Sequence, residues 1–304
     1  MLQHYDERNR NLIVNVNGRL IHRDEAGVSP FDSVVQGGDA VWEGLRLYAG
    51  RIFAFDEHLA RLRRSAQALA FVEIPSQAEI VTEIRRTLAA NSMTDGVHIR
   101  LTLTRGVKVT SGMDPRLNQS GPTLIVLAEH KPPVYDAAGI SLVTASIRRP
   151  TPDVLDPKIH HNNLLGSILA KIEANNSGAD DALMLDHRGM IAETNATHLF
   201  FVSGQTLCTS TTAACPEGIT RQTVLDLAAA TSIPTEVGDF SLAQLYAANE
   251  AFVTGTMGEL AVVRTVDGRQ IGDGRTHPVT TALSTAFADL TARSGTNVVD
   301  QPPG

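Results

Sequence analysis

Asp156-Pro157-Lys158-Ile159-His160-His161-Asn162-Asn163-Leu164-Leu165-Gly166 is the stretch on which the reading of this chain turns. Lys158 follows a proline and lies just before a histidine pair, an awkward place for a purely solubilising lysine, although most lysines are surface residues. From Leu164 an apolar stripe predicts a helix running to about Ala174 and ending near Asn175-Asn176-Ser177-Gly178. His160 and His161 invite a metal, but no acidic or cysteine partner stands at ligand spacing, so no metal site is expected. Downstream, Glu193 in Ile191-Ala192-Glu193-Thr194-Asn195 reads by itself as a loop carboxylate.

Two glycine turns follow. Gly218-Ile219-Thr220-Arg221 sits where a helix is expected to begin, so the amides of Ile219 and Thr220 are unsatisfied donors at the positive end of a helix dipole, with a hydroxyl beside them. Thr254-Gly255-Thr256-Met257-Gly258, at the end of an expected strand, offers a second set of amides and hydroxyls. Each has a plain reading as an ordinary turn; together they form a candidate anion cradle. Arg61, on an amphipathic helix, is either a solvated arginine or the full positive charge that a phosphate wants.

Working outward, Ile13 to Ile21 carries Asn17-Gly18 between two extended arms and predicts a hairpin. Val41 to Tyr48 reads as a strand turning at Ala49-Gly50 into Arg51 to Phe55, after which Asp56 is the expected N-cap of a helix bearing Leu59, Leu62 and Ala66. A helix over Gln77 to Ala90, a half-buried strand over Val97 to Thr104 and a buried strand over Thr123 to Leu127 complete an α+β first half. Pro132-Pro133 continues neither a helix nor a central strand, which places a linker at 130–138 between domains 1–129 and 139–304. In the second half, strands are expected at Ile140 to Ala145, Asp181 to Leu185, His198 to Val202 and Ala251 to Thr256, and helices at Ile219 to about Ala230 and His277 to Ser294. There is no internal repeat.

The bulk numbers fit this picture. A chain of 304 residues, 42% hydrophobic, suits two moderate domains with cores of their own. A net charge of −7 argues against a nucleic-acid-binding surface. Two cysteines, Cys208 and Cys215, exclude a disulfide framework and fit a reducing cytoplasm. No stretch has signal-peptide character or approaches the ~18 apolar residues of a membrane span, so neither export nor a membrane anchor is expected.

Taken in order, these motifs are similar over nearly the whole length to the class IV aminotransferases, the fold-type IV pyridoxal-phosphate (PLP) group that holds branched-chain and D-amino-acid aminotransferases. Trp42-Glu43-Gly44-Leu45-Arg46 resembles the aromatic-Glu-Gly-x-Arg strand of the branched-chain subgroup, and Asp56-Glu57-His58-Leu59-Ala60-Arg61-Leu62 the helix whose arginine grips the PLP phosphate. The resemblance implies a small α/β N-terminal domain and a larger C-terminal domain with a β-barrel-like core. It makes Lys158 the catalytic Schiff-base lysine, Glu193 the partner of the pyridine nitrogen, and Gly218, Ile219, Thr220, Gly255 and Thr256 the phosphate-binding turns, with Arg61 beside them. Thr256 and Met257 would also hold the substrate carboxylate; Arg100 would take the side-chain carboxylate of glutamate, with Trp42, Arg46 and His98 around the substrate.

The chain departs from the family pattern at several positions. Asn163 stands for the tyrosine that bonds the cofactor's phenolic oxygen, and His198 for an asparagine. His98 and Gly37 stand for active-site tyrosines. The resemblance implies a homodimeric, ping-pong transaminase moving an amino group from an apolar, branched-chain-type amino acid to 2-oxoglutarate or another 2-keto acid. Gln36-Gly37-Gly38-Asp39 and Asn163-Leu164-Leu165-Gly166 also resemble the D-amino-acid subgroup, so a D-amino-acid or (R)-amine aminotransferase is the alternative. Aminodeoxychorismate lyase is a poorer match, and a non-catalytic PLP-fold binding module stands against the presence of Lys158 and Glu193.

Overall fold

The structure, a computed structural model, describes residues 3–135 and 138–299. It divides into two compact units. Among the described residues the chain passes between them at Pro132 to Pro133, inside the expected linker at 130–138, and again at Lys158 to Ile159, Asn163 to Leu164 and Leu290 to Thr291. A split drawn at a proline pair could not show this. Residues 159–163 return because they hydrogen-bond to a strand more than a hundred positions earlier, with Trp42 N donating to the His160 carbonyl and Asn162 N to the Ala40 carbonyl, both at 2.9 Å.

The N-terminal unit is built on an antiparallel sheet. Its strands are β1 (Ile13–Val16), β2 (Arg19–His22), β3 (Ala40–Tyr48), β4 (Arg51–Ile52), β5 (Val97–Thr104) and β6 (Thr123–His130). The order is β4-β3-β5-β6-β1-β2, with Thr296–Asn297 added beyond β4. Asn17 and Gly18 close the β1–β2 hairpin with φ of 51° and 75°, the positive angles such a turn requires. Helix α1 (Ser33–Gly37) precedes β3; α2 (Phe55–Ala68) packs on β3 and α3 (Gln77–Ala90) on β6 and β1. Leu59, Leu62 and Ala66 of α2 and Ile80, Ile84 and Leu88 of α3 join Leu45, Ile99, Leu101 and Val126 of the sheet in one core.

Two local expectations are corrected. Asp56 is not the N-cap of α2: the chain enters that helix through Ala54, held at φ 49°. Asp56 lies in the first turn, where it accepts from Gln77 Nε2 at 2.6 Å. Strand β5 is buried on both faces rather than one, because His98, Thr102 and Thr104 on its polar face are buried and only Arg100 there is half-exposed.

The C-terminal unit carries β7 (Ile140–Thr144), α4 (Pro152–Leu155), α5 (Leu165–Asn176), β8 (Asp181–Leu185), β9 (Ile191–Thr194), β10 (His198–Ser203), β11 (Thr206–Ser210), α6 (Ile219–Ala230), β12 (Thr235–Gly238), α7 (Leu242–Tyr246), β13 (Glu250–Gly255), β14 (Glu259–Val266), β15 (Arg269–Gln270) and α8 (Pro278–Arg293). The sheet order is β12-β11-β10-β13-β14-β7-β8-β9, with β15 paired to β14. It curls until β9, its last strand, packs against β10 and β11, where Ser210 Oγ donates to the Ala192 carbonyl. The barrel-like core expected of the larger domain is this curled sheet. Phe200 and Phe252, stacked with centroids 5.2 Å apart, join Val224 and Ala228 of α6 and Leu283 of α8 in a core on one side of it. Among the described residues no helix is long and apolar enough to cross a membrane, and no cluster of His, Cys, Asp and Glu is placed to hold a metal ion.

Candidate active site

Lys158 is the last residue of its segment of the C-terminal unit. Its amide donates to Asp156 Oδ1 at 3.0 Å, a turn that follows directly from an Asp two positions earlier. The next residues are strapped along β3: His160 N donates to Ser65 Oγ at 3.0 Å, His160 Nδ1 donates to the Trp42 carbonyl, and Trp42 Nε1 donates to the His161 carbonyl at 3.1 Å. The backbone on either side of Lys158 is therefore fixed while its side chain is only half-buried.

Glu193 lies on β9, a strand and not the loop its sequence suggested, and is 3% exposed. One carboxylate oxygen meets Arg149 Nη2 and the other lies 3.6 Å from His198 Nδ1. Arg149 also donates from Nη1 to Ser167 Oγ at 3.1 Å. Burial pushes its guanidinium down to about 10, against the pull of the Cys215 sulfur. The sequence reading missed Arg149, which sits in Ile147-Arg148-Arg149-Pro150 with no motif around it.

Helix α6 opens on Gly218, so the Ile219 and Thr220 amides stand in its first turn as expected. Gly218 has an ordinary φ of −69° and is needed for space, because a Cβ there would lie 2.2 Å from His198 Nε2. His198 also pairs in register with Thr254 of β13, and Gly255 follows at the strand end. Thr254 Oγ1 is wholly buried and has no hydrogen-bond partner among the described residues. His198, the departure noted in the sequence, thus stands where Glu193, the Gly218 turn and the Thr254-Gly255-Thr256 turn meet. Arg221, next along α6, is buried and donates to the Ser210 carbonyl at 2.7 Å; burial lowers its pKa. Burial pushes the Cys215 thiol up, and the charges of Arg149, Arg221 and Lys158 oppose this.

In the N-terminal unit, Trp42 and Arg46 on β3 and His98 and Arg100 on β5 share neighbouring strands, with Arg46 opposite His98 and Gly44 opposite Arg100. The Arg100 guanidinium lies 3.5 Å from the Trp42 ring centroid and donates to Asn162 Oδ1 at 3.3 Å. Burial brings Arg100 down to about 10 although Glu43 pulls it up. Burial, with Lys131, Arg100 and Arg46 nearby, pushes His98 down to about 3, so the imidazole is neutral at ordinary pH. Neither His98 nitrogen has a hydrogen-bond partner among the described residues. Arg61 is buried in a two-point ion pair with Glu43, and Asn163 Nδ2 donates to the Gly38 carbonyl at 3.2 Å. Of the expected site residues, Lys158, Glu193, Gly218 to Thr220 and Gly255 to Met257 belong to one unit, and Trp42, Arg46, Arg61, His98, Arg100 and Asn163 to the other.

Residues 40–266 match the family of class IV amino-transferases. The chain belongs to the class IV aminotransferases. It is 54% identical over 288 residues to branched-chain-amino-acid aminotransferase-like protein 1 of Arabidopsis thaliana, covering 94% of this chain and 52% of that protein, so the chain spans about half the length of that relative. It is 37% identical to a putative branched-chain-amino-acid aminotransferase of Methanocaldococcus jannaschii, over 95% of this chain and 99% of that one. The crystal structure of the T.th. branched-chain amino acid aminotransferase complexed with N-(5'-phosphopyridoxyl)-L-glutamate superposes with a TM-score of 0.84 at 30% identity, covering 93% of this chain and 94% of that one. The fold-type IV architecture of this aminotransferase chain follows from that likeness.

Proposed function

We propose that this class IV aminotransferase binds PLP and moves an amino group from an apolar, branched-chain-type amino acid to 2-oxoglutarate or another 2-keto acid in a ping-pong cycle. The observation that carries the reading is the grouping of buried Glu193, His198 and the two glycine turns in the unit that also holds Lys158. These groups fit the cofactor: the α6 amides and the unsatisfied Thr254 hydroxyl suit a phosphate, and a buried carboxylate suits a protonated ring nitrogen. Bound there, PLP supplies an electron sink for charge developing at the substrate's α carbon.

The chain's own residues do the rest. Gly218, Ile219, Thr220, Gly255 and Thr256 would hold the phosphate, and the family resemblance gives Arg61 the full charge that it wants. Glu193, ion-paired with Arg149, would face the ring nitrogen and favour its protonated form. Lys158 would be the lysine that binds PLP, and its ε-amine would take the proton from the substrate's α carbon as general base and pass it to the cofactor side as general acid. Asn163 would take the place of the side chain that bonds the phenolic oxygen. The Thr256 and Met257 turn holds the substrate's α-carboxylate, Arg100 the distal carboxylate of the acceptor, and Trp42, Arg46 and His98 surround the side chain. The acceptor is supported by the glutamate conjugate in the T.th. enzyme. A homodimer is supported by α5, whose Leu165, Ile168, Leu169 and Ile172 form one apolar stripe at least 47% exposed at each position.

The test is the half-reaction. PLP-loaded protein mixed with L-leucine alone, without any keto acid, is expected to convert its cofactor to the amine form, followed by absorbance. Conversion by D-alanine and not by L-leucine would replace this reading with the D-amino-acid one, and conversion by neither would point to (R)-amines or to the lyase.

A further inference from the structure

Tyr135 follows the proline pair, and from Pro133 to Lys158 the chain belongs to the same unit as the two glycine turns. The proposed chemistry does not use it. Its ring lies on Gly258: a Cβ at that glycine would come 2.4 Å from both Tyr135 Cδ2 and Cε2, and 3.5 Å from Val134 Cγ2. The φ of Gly258 is outside the left-handed region, so the position needs glycine for space and not for its backbone angle. The Val134 amide donates to the Met257 carbonyl at 3.2 Å, and the Gly258 amide donates to the Gly255 carbonyl at 3.2 Å. These two contacts fix the peptide between Met257 and Gly258, and with it the course of the turn. Pro132 and Pro133 stiffen the approach of this segment, each holding φ at about −65°.

The far end of the ring is held as well. Tyr135 Oη donates to Asp181 Oδ2 at 2.6 Å, and Lys171 Nζ of α5 donates to Asp181 Oδ1 at 2.8 Å. Burial, and then the charge of Asp181, push the Tyr135 hydroxyl well above its ordinary range, so it stays a donor. The Thr197 side chain hydrogen-bonds to the same hydroxyl. Thr197 Oγ1 lies 2.7 Å from Oγ1 of Thr194, the residue after Glu193, and Thr197 Cγ2 would stand 3.1 Å from a Cβ at Gly255. Tyr135 thus touches the second glycine turn at Gly258 and, through Thr197, reaches its other end at Gly255 and the strand end that carries Glu193.

We propose that Tyr135 is a positioning residue: laid on Gly258 and anchored on Asp181, it sets the direction in which the Thr256 and Met257 amides meet the substrate's α-carboxylate. The inference rests on the reading of that turn as the carboxylate site. It separates Tyr135 from a ring that merely fills the core beside Asp181, because core filling alone would not be felt by a bound carboxylate.

The experiment measures, by calorimetry on PLP-saturated protein, the dissociation constant of 4-methylvaleric acid, a branched carboxylic acid with no amine to react. The parent is compared with Tyr135→Leu, Gly258→Ala and Met257→Pro, which removes one of the two amide hydrogens, and melting temperatures are recorded alongside. The expected result is a roughly tenfold or greater weakening in each variant, the worth of a hydrogen bond to a charged group. If Tyr135→Leu and Gly258→Ala lower the melting temperature but keep the parent's dissociation constant, while Met257→Pro raises it, Tyr135 is structural and the inference is overturned. If Met257→Pro binds the acid as tightly as the parent, the carboxylate role of the turn fails first and takes the inference with it. Should Tyr135→Leu not fold, Tyr135→Phe keeps the ring and releases Asp181; it is expected to weaken the acid by a smaller factor, and an unchanged constant there overturns the inference equally.

Discussion

Replacing Gly218 by alanine puts a methyl carbon 2.2 Å from His198 Nε2 and 2.3 Å from its Cδ2. The φ of −69° at this position suits alanine as well as glycine, so the whole cost is steric. Heavy atoms in good contact stand about 3.5–4.0 Å apart, so the imidazole must retreat by more than ~1 Å. It has little room to do so, being 7% exposed at the head of β10 and held in register opposite Thr254. Overpacking of this kind costs about 1–3 kcal/mol, which for units of this size lowers the melting temperature by roughly 3–10 °C. The retreat also disturbs the 3.6 Å approach of His198 to Glu193 and the amides of the turn. Thermal unfolding of the protein without PLP, followed by PLP titration, is therefore expected to show lower stability and weaker binding together. Gly218→Ala combined with His198→Ala removes the obstacle and should recover most of the stability. A single variant as stable and as tight for PLP as the parent would refute the reasoning, as would a double variant with no recovery.

Other outcomes follow from the same geometry. Lys158→Ala should abolish turnover while PLP still binds noncovalently; retained turnover in a coupled assay would remove Lys158 from the mechanism. Arg100→Met should raise KM for 2-oxoglutarate roughly tenfold or more, the worth of a hydrogen-bonded charge, while leaving KM for an apolar keto acid near its parent value; equal losses for both acceptors would count against a distal-carboxylate role. His98 is held neutral down to about pH 3 in the fold, whereas an unfolded histidine takes up its proton near 6.5. The folded value is the lower one, so the unfolded chain binds more protons between the two, and stability falls as pH drops from 6.5 towards 3 by up to ~1.4 kcal/mol per pH unit from this group. His98→Gln should flatten that fall in melting curves recorded across pH, and an unchanged slope would contradict the burial argument.

Where periodicity is strong, the sequence and the structure agree closely. Gln77 to Ala90 and Val97 to Thr104 have their expected bounds, and α6 opens directly on Gly218, because each is decided by residues within its own segment. The turn at Gly218 was legible for the same reason, whereas the role expected of Lys158 came from the family resemblance and not from its own segment. What escaped depends on distant neighbours. Nothing local marks Arg149 as the partner of Glu193, since the two meet only when the curled sheet brings the chain after β7 against β9. The carboxylate of Glu43 meets Arg61, His58 and His160, and so draws on β3, α2 and the strap after Lys158, three segments that no local window spans. Ala54 in a left-handed conformation at the start of α2 displaced Asp56 from its expected cap, and alanine gives no signal for that angle. The return of residues 159–163 to β3 is a matter of backbone pairing, to which side-chain identity is nearly silent.

The most direct test of the account is chemical capture of the cofactor. Protein incubated with PLP is reduced with borohydride, digested and mapped by mass spectrometry. The account predicts a phosphopyridoxyl group on the peptide containing Lys158, absent in Lys158→Ala. Labelling at another lysine, or no labelling of a folded protein at saturating PLP, would contradict it.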